Sequence, residues 1–244
     1  MNFAIMLNQK IKQFKKILKI DDEIIGVKFT TKPLSGCTPH RDTACTAIAR
    51  TIFKKEGTVF DAKTFPQTCQ GANYFLKLSN IKDSDVYNSY INQEKIFSDK
   101  KTCQLFLKNL PKLPAFSKNK FINIKIFNFN DNPCIAILLA NPAQAGRILG
   151  LLNHKRYRVV EIYPNQPTCL SLFAPLVTKT IHCNFIDYYD RYYQGRNNKK
   201  LIWPKQKMII SIRNQEFKEI LNNLNKSAQG SFRPNLLPQG VDDF

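Results

Sequence analysis

The passage from Cys134 to Asn153 constrains the fold more than any other part of the chain. An uninterrupted apolar run, Cys134 to Ala140, meets the segment Asn141-Pro142-Ala143-Gln144-Ala145. Cys134 to Leu139 shows no polar alternation, as expected of a central strand covered on both faces. The residues that follow start a helix. Asn caps it, Pro fits the first helical position where no N–H is required, and Ala and Gln propagate the turn to about Asn153. A buried strand feeding a capped helix places a sheet between helices.

Around that unit the pattern predicts a mixed α/β (α+β) domain with a central mixed sheet and flanking helices. Leu7, Ile11, Phe14 and Leu18 recur at helical spacing while Lys12, Lys15, Lys16 and Lys19 gather opposite them, so Leu7 to Ile20 reads as an amphipathic helix. Ile24 to Thr30 reads as a strand, in which Gly26 marks a close backbone approach. Pro33 to His40 reads as a loop. Thr43 to Lys55 is helical, with Asp42 or Thr43 as its cap and Gly57 just past its end. Val59 to Ala62 is a short strand, Asn73 to Leu78 begins a helix, and Asp83 to Ile96 and Ser98 to Leu110 give two more. In the second half, strands are expected at Phe121 to Phe129, Tyr157 to Ile162, Ile181 to Ile186 and Lys207 to Ile212. Helices are expected at Thr168 to Val177 and Asn214 to Leu224.

With 244 residues, 43% of them hydrophobic, the chain can bury a core as one domain spanning 1–226. The alternative division is into two lobes, 1–110 and 121–226, joined by a linker at 111–120 that carries Pro111 and Pro114. Residues 227–244, rich in Pro, Gly and Ser, read as a loose tail. The apolar run at Cys134 is far shorter than the roughly 20 residues of a membrane-spanning helix. Phe3 to Leu7 has neither a basic leader nor a small-residue cleavage site, so no signal peptide is expected and the predicted location is the cytoplasm.

In a reducing compartment, structured thiols are ligands or reactive groups rather than disulfide partners. Cys45 falls in the first turn of a predicted helix, where free N–H groups and the macrodipole lower a thiol pKa. Cys69 opens Cys-Gln-Gly-Ala at another loop-to-helix junction, with Gly71 giving backbone room. Cys169 lies in a short helix of the second half and Cys183 in a strand. These four are the candidate metal ligands. No Cys-x-x-Cys pair occurs, which excludes the common structural zinc patterns and leaves a ligand set gathered by folding, suited to an iron–sulfur cluster or another thiolate-bound metal. Cys103 and Cys134 sit in apolar patterns and read as core. His182, beside Cys183 in a strand, points to the opposite face, so only one of the two can face a given site. No Ser-His-Asp set, carboxylate pair or phosphate-cradling glycine loop is present.

The formal net charge of +19 invites a polyanion reading, and Tyr188 to Lys200 interleaves aromatics and bases as single-strand binders do. Abundant Lys, Asn, Ile and Phe also follow from AT-rich codon usage, and dense aromatics cover hydrophobic edges, so packing is the preferred reading of that segment. Nucleic acid is the alternative partner.

Gly26-Val27-Lys28-Phe29, Cys45 through Arg50 with Gly57, Cys69-Gln70-Gly71-Ala72, Asn141-Pro142-Ala143-Gln144-Ala145, Cys169 and Gly195-Arg196 occur in that order. In this the chain resembles the uncharacterised prokaryotic family called domain of unknown function 169, over roughly Leu7 to Asn225. The resemblance implies a single α/β domain of no settled activity and a constellation at Cys45, Cys69 and Cys169. Where family members carry smaller residues before the Gly-Arg turn and acidic ones after it, this chain has tyrosines, then Lys199, Lys200 and Trp203. An anionic or metal-supporting role is therefore not carried over to that stretch. The reading so obtained is a cytosolic protein with a cysteine-lined site for a metal, an iron–sulfur cluster or thiol redox chemistry, served by a redox partner. Gly71, Asn141, Gln144 and Arg196 are expected to line its cofactor cleft. A non-enzymatic nucleic-acid binder and a structural protein with inert thiols are the alternatives.

Overall fold

Strand β5 (Ile135–Ala140) is buried at every position, and its side chains divide by the two-residue period of a strand. Ile135, Ile137 and Leu139 enter one hydrophobic core, and Ala136, Leu138 and Ala140 enter another. The computed structural model describes residues 3–65, 69–77, 81–109, 120–156, 168–186 and 203–231. Within them lie β1 (Ile25–Thr30), β2 (Cys37–Pro39), β3 (Gly57–Asp61), β4 (Phe121–Ile126), β5, β6 (His182–Phe185) and β7 (Met208–Arg213). They form one mixed sheet in the order β2-β3-β4-β1-β5-β7-β6. Only β2 and β3 run parallel; the remaining neighbours are antiparallel. Because β4 is inserted between β3 and β1, the two halves of the chain share this sheet.

Each face carries its own helical layer. On the first face, α2 (Ala44–Lys54), α3 (Gln70–Leu76) and α7 (Thr168–Phe173) bury Ile48, Ile52, Phe75, Leu170 and Phe173 against β5, β1 and β4. On the second, α1 (Phe3–Ile17), α6 (Pro142–Asn153) and a C-terminal helix, α9 (Asn214–Asn223), pack Phe14, Ile148, Leu151, Phe217 and Ile220 against β5 and β7. A smaller cluster of Val86, Tyr90, Cys103 and Leu107 joins α4 (Asp83–Tyr87) to α5 (Lys100–Asn109). Among the described residues no helix is long and apolar enough to cross a membrane.

Several local expectations change. The Pro33 to His40 stretch contains β2, because Cys37 to Pro39 finds an open edge on β3. Lys55, not glycine, takes the left-handed position that ends α2, at φ 60°. Gly57 instead begins β3, where a Cβ would stand 2.5 Å from the Gly36 carbonyl oxygen. The helix expected over Asp83 to Ile96 passes from α4 into a π-helix at Asn88–Gln93. The helix expected over Thr168 to Val177 is divided, since Pro175 opens a separate turn, α8 (Pro175–Thr178). Gly26 does mark a close approach: a side chain there would meet Pro133 Cβ at 2.9 Å. Of the tail expected to be loose, residues 227–231 fold back, with Ser231 N–H donating to the Leu224 carbonyl at 2.8 Å and Arg147 donating to the Gln229 and Gly230 carbonyls. The strand expected at Tyr157 to Ile162, residues 111–119 of the expected linker and 232–244 of the tail lie outside the described residues.

The start of α6 is a reciprocal cap. Gln144 N–H donates to Asn141 Oδ1 at 2.8 Å, and Asn141 N–H donates to Gln144 Oε1 at 2.9 Å. Gln144 Nε2 then donates to the carbonyls of Leu18 and Lys19, which follow α1. One side chain thus satisfies the beginning of one helix and the end of another. Asn141→Ala and Gln144→Ala are each expected to lower stability by about 1 kcal/mol in urea denaturation, with thiol modification of the folded protein unchanged.

Candidate functional site

The first-face helices bring three of the four predicted cysteines toward one region. Thr43 caps α2 through its hydroxyl, which accepts from Thr46 N–H at 3.2 Å. Ala44, the first residue of α2, therefore has an N–H with no partner inside the helix. That N–H donates to Cys69 Sγ at 3.4 Å. Cys69 occupies the N-cap of α3 but does not cap it with its own side chain. Its sulfur lies instead at the positive end of the eleven-residue α2, whose field favours a thiolate while burial opposes it. Cys45 is the next residue of α2 after the donor, and both thiols are buried.

Cys169 enters from the second half of the chain, as the second residue of α7. A Cβ on Gly71 would fall 2.8 Å from Cys169 Sγ and closer still to the Tyr90 hydroxyl. Glycine is needed here because α3 meets both groups at its backbone. The Gln70 side-chain oxygen is buried without a hydrogen-bond partner among the described residues. Cys45 and Cys69 belong to the first-face core, and the half-buried Cys169 packs against it. None of the seven cysteines is joined in a disulfide. Among the described residues, no group of three or more His, Cys, Asp or Glu side chains is placed to hold a metal ion.

The other sequence candidates are elsewhere. Cys183 lies in the second-face core, separated from the other three thiols by the sheet. Burial pushes its thiol up to about 12, so it stays protonated. Asn141 and Gln144 are also on the second face, where they cap α6, and do not line a cleft with the cysteines. Arg196 and Tyr188 to Lys200 fall outside the described residues. Lys12, Lys16 and Lys19 are exposed opposite the buried Leu7, Ile11, Phe14 and Leu18, as the periodicity requires.

Alternation along β6 gives the first face to His182 in place of Cys183. His182 lies opposite Ser211 in the register, and the Ser211 hydroxyl donates to the Leu172 carbonyl of α7 at 2.7 Å. His182 Nε2 is 2.9 Å from Thr178 Oγ1, whose own proton goes to the Ala174 carbonyl, so the imidazole Nε2–H is the donor. Burial lowers its pKa from 6.5 to about 4. Tyr90 had no sequence signal beyond its place in an aromatic-studded helix, and Gln70 was legible only as the second residue of Cys-Gln-Gly-Ala.

The family model described as uncharacterised ArCR, domain of unknown function 169, matches residues 13–223. The chain belongs to this family. The match takes in every described strand and all three converging cysteines, so in domain of unknown function 169 the region matched is the whole layered sheet. No curated protein and no solved structure matches the chain.

The His182 environment has a definite pH signature. The native imidazole stays neutral down to about pH 4, whereas the unfolded chain binds the proton near pH 6.5, so stability is expected to fall as pH drops through that window. Urea midpoints measured across it should decline less in His182→Asn than in the parent, because the variant removes the proton that the unfolded state takes up.

Proposed function

We propose that this protein is a cytoplasmic thiol-redox protein in which Cys69 is the nucleophilic thiolate and Cys45 the resolving thiol, with Cys169 the third sulfur of the site. The observation that carries the reading is the Ala44 N–H···Cys69 Sγ hydrogen bond at the start of α2. An amide aimed at sulfur stabilises the ionised form over the protonated one. The thiol site is favoured over the α1 lysine face because α2, the start of α3 and α7 draw three thiols toward one region.

In the proposed reaction, the Cys69 thiolate attacks one sulfur of a substrate or partner disulfide and expels the other as a thiolate, leaving a mixed disulfide. The Cys45 thiolate then attacks Cys69 Sγ and releases the second substrate sulfur. The disulfide substrate gains two electrons, the Cys45–Cys69 pair is oxidised to a disulfide, and the thiol protons pass to the released thiolates or to solvent. A dithiol partner restores the pair by the reverse exchange.

The same three thiols could instead hold a metal ion or an iron–sulfur cluster, a use supported by their origin in three helices on one face. Thiol exchange is preferred because the described side chains do not assemble a metal-ligating set.

Alkylation of the reduced protein, resolved by cysteine, is expected to modify Cys69 at neutral pH at least about threefold faster than the comparably buried Cys183. Cys69→Ser should abolish disulfide formation at Cys45 when an oxidised small-molecule disulfide is added. A Cys69 that alkylates no faster than Cys183, or stoichiometric metal and sulfide in anaerobically prepared protein, would displace this reading.

A further inference from the structure

We infer that Tyr90 belongs to this site as the positioning residue that sets the protonation of Cys169, an inference that rests on the thiol reading above. The geometric basis is the space left by Gly71. The Tyr90 hydroxyl and Cys169 Sγ both project into the volume that a side chain on residue 71 would occupy, so oxygen and sulfur are near neighbours.

The fold holds the phenol there from a separate set of elements. Tyr90 is 1% exposed, and its ring packs edge-on to Phe97 at 6.1 Å, which in turn packs on Phe106 at 4.9 Å. Its carbonyl accepts from Ile96 N–H at 2.8 Å. Tyr90 also lies in the π-helix Asn88–Gln93, whose wider turn changes the direction in which side chains leave the axis compared with the α-helix before it. The ring is thus anchored in the α4–α5 cluster while its hydroxyl reaches the α3–α7 contact. Glycine at position 71 allows that reach; any larger residue would separate oxygen from sulfur.

A phenol beside a thiol has one chemical consequence. When Cys169 ionises, Tyr90 O–H can donate to the thiolate and lower the thiol's pKa. Cys69 obtains its stabilisation from the Ala44 amide, so the two sulfurs are tuned by different donors. In this arrangement the Tyr90 hydroxyl serves Cys169, and the Ala44 amide serves Cys69.

The test is alkylation of the full-length reduced chain by iodoacetamide, resolved by cysteine with peptide mass spectrometry across the pH range of thiol ionisation. In Tyr90→Phe, Cys169 alkylation at neutral pH is expected to fall about threefold or more as its midpoint rises, with the Cys69 profile unchanged. An unmoved Cys169 midpoint overturns the inference, and so does an equal change at every cysteine, which marks loosened packing. If Tyr90→Phe does not fold, replacing all tyrosines by 3-fluorotyrosine supplies the same readout. The more acidic phenol should then lower the Cys169 midpoint and leave Cys69 in place, and no selective shift overturns the assignment. A slow Cys69 in the parent protein rejects the thiol-redox reading itself, independently of how Cys169 responds to Tyr90.

Discussion

The rest of the structure depends on β5 being covered on both faces. A strand with helices above and below must hand alternate side chains to two separate cores, and β5 does so without a polar break. Its neighbour β7 shows the same division, with Ile209 in the first-face core and Ile210 and Ile212 in the second, whereas Ile25 and Val27 of β1 join the first-face core. The sheet therefore acts as a partition: a side chain on one face cannot reach a group on the other, however near the two are in sequence.

That partition decides which candidate residues can cooperate. Cys45, Cys69 and Cys169, from α2, the start of α3 and α7, are on one face, while Cys183 is on the other in a setting that keeps its thiol protonated. His182 and Cys183 are adjacent in sequence and fall on opposite sides. Asn141 and Gln144, from one of the two most specific motifs in the chain, serve the joint between α1 and α6. Their sequence is distinctive because three helix-terminal requirements converge on it, and those requirements are structural.

Legibility followed the range of the interaction. The β5 strand, the α6 start and the amphipathic α1 depend on neighbours within one or two turns, and they were readable. The cap of α2 was readable as Asp42 or Thr43, and it is Thr43 whose hydroxyl bonds three residues ahead. The short β2 strand was not, since it exists only by pairing with β3, and neither was the left-handed Lys55, which ends α2 where Gly57 had been the natural candidate. In the site, the three cysteines and Gly71 could be named from turn and helix-start chemistry. Tyr90 could not, because its relation to Gly71 and Cys169 is made by packing across three elements.

By itself the sequence determined the layered fold class, the central strand, the capped helix that follows it, and a preference for thiols at helix starts. Each of these rests on local periodicity or on backbone groups satisfied within a few residues. Only the tertiary structure decided that the Ala44 amide serves the sulfur of Cys69, that Cys183 is walled off from the other thiols, and that Gly71 admits Tyr90 and Cys169 to the same small volume. Those outcomes depend on which face of a shared sheet each side chain occupies and on contacts between distant segments, which a one-dimensional pattern does not encode.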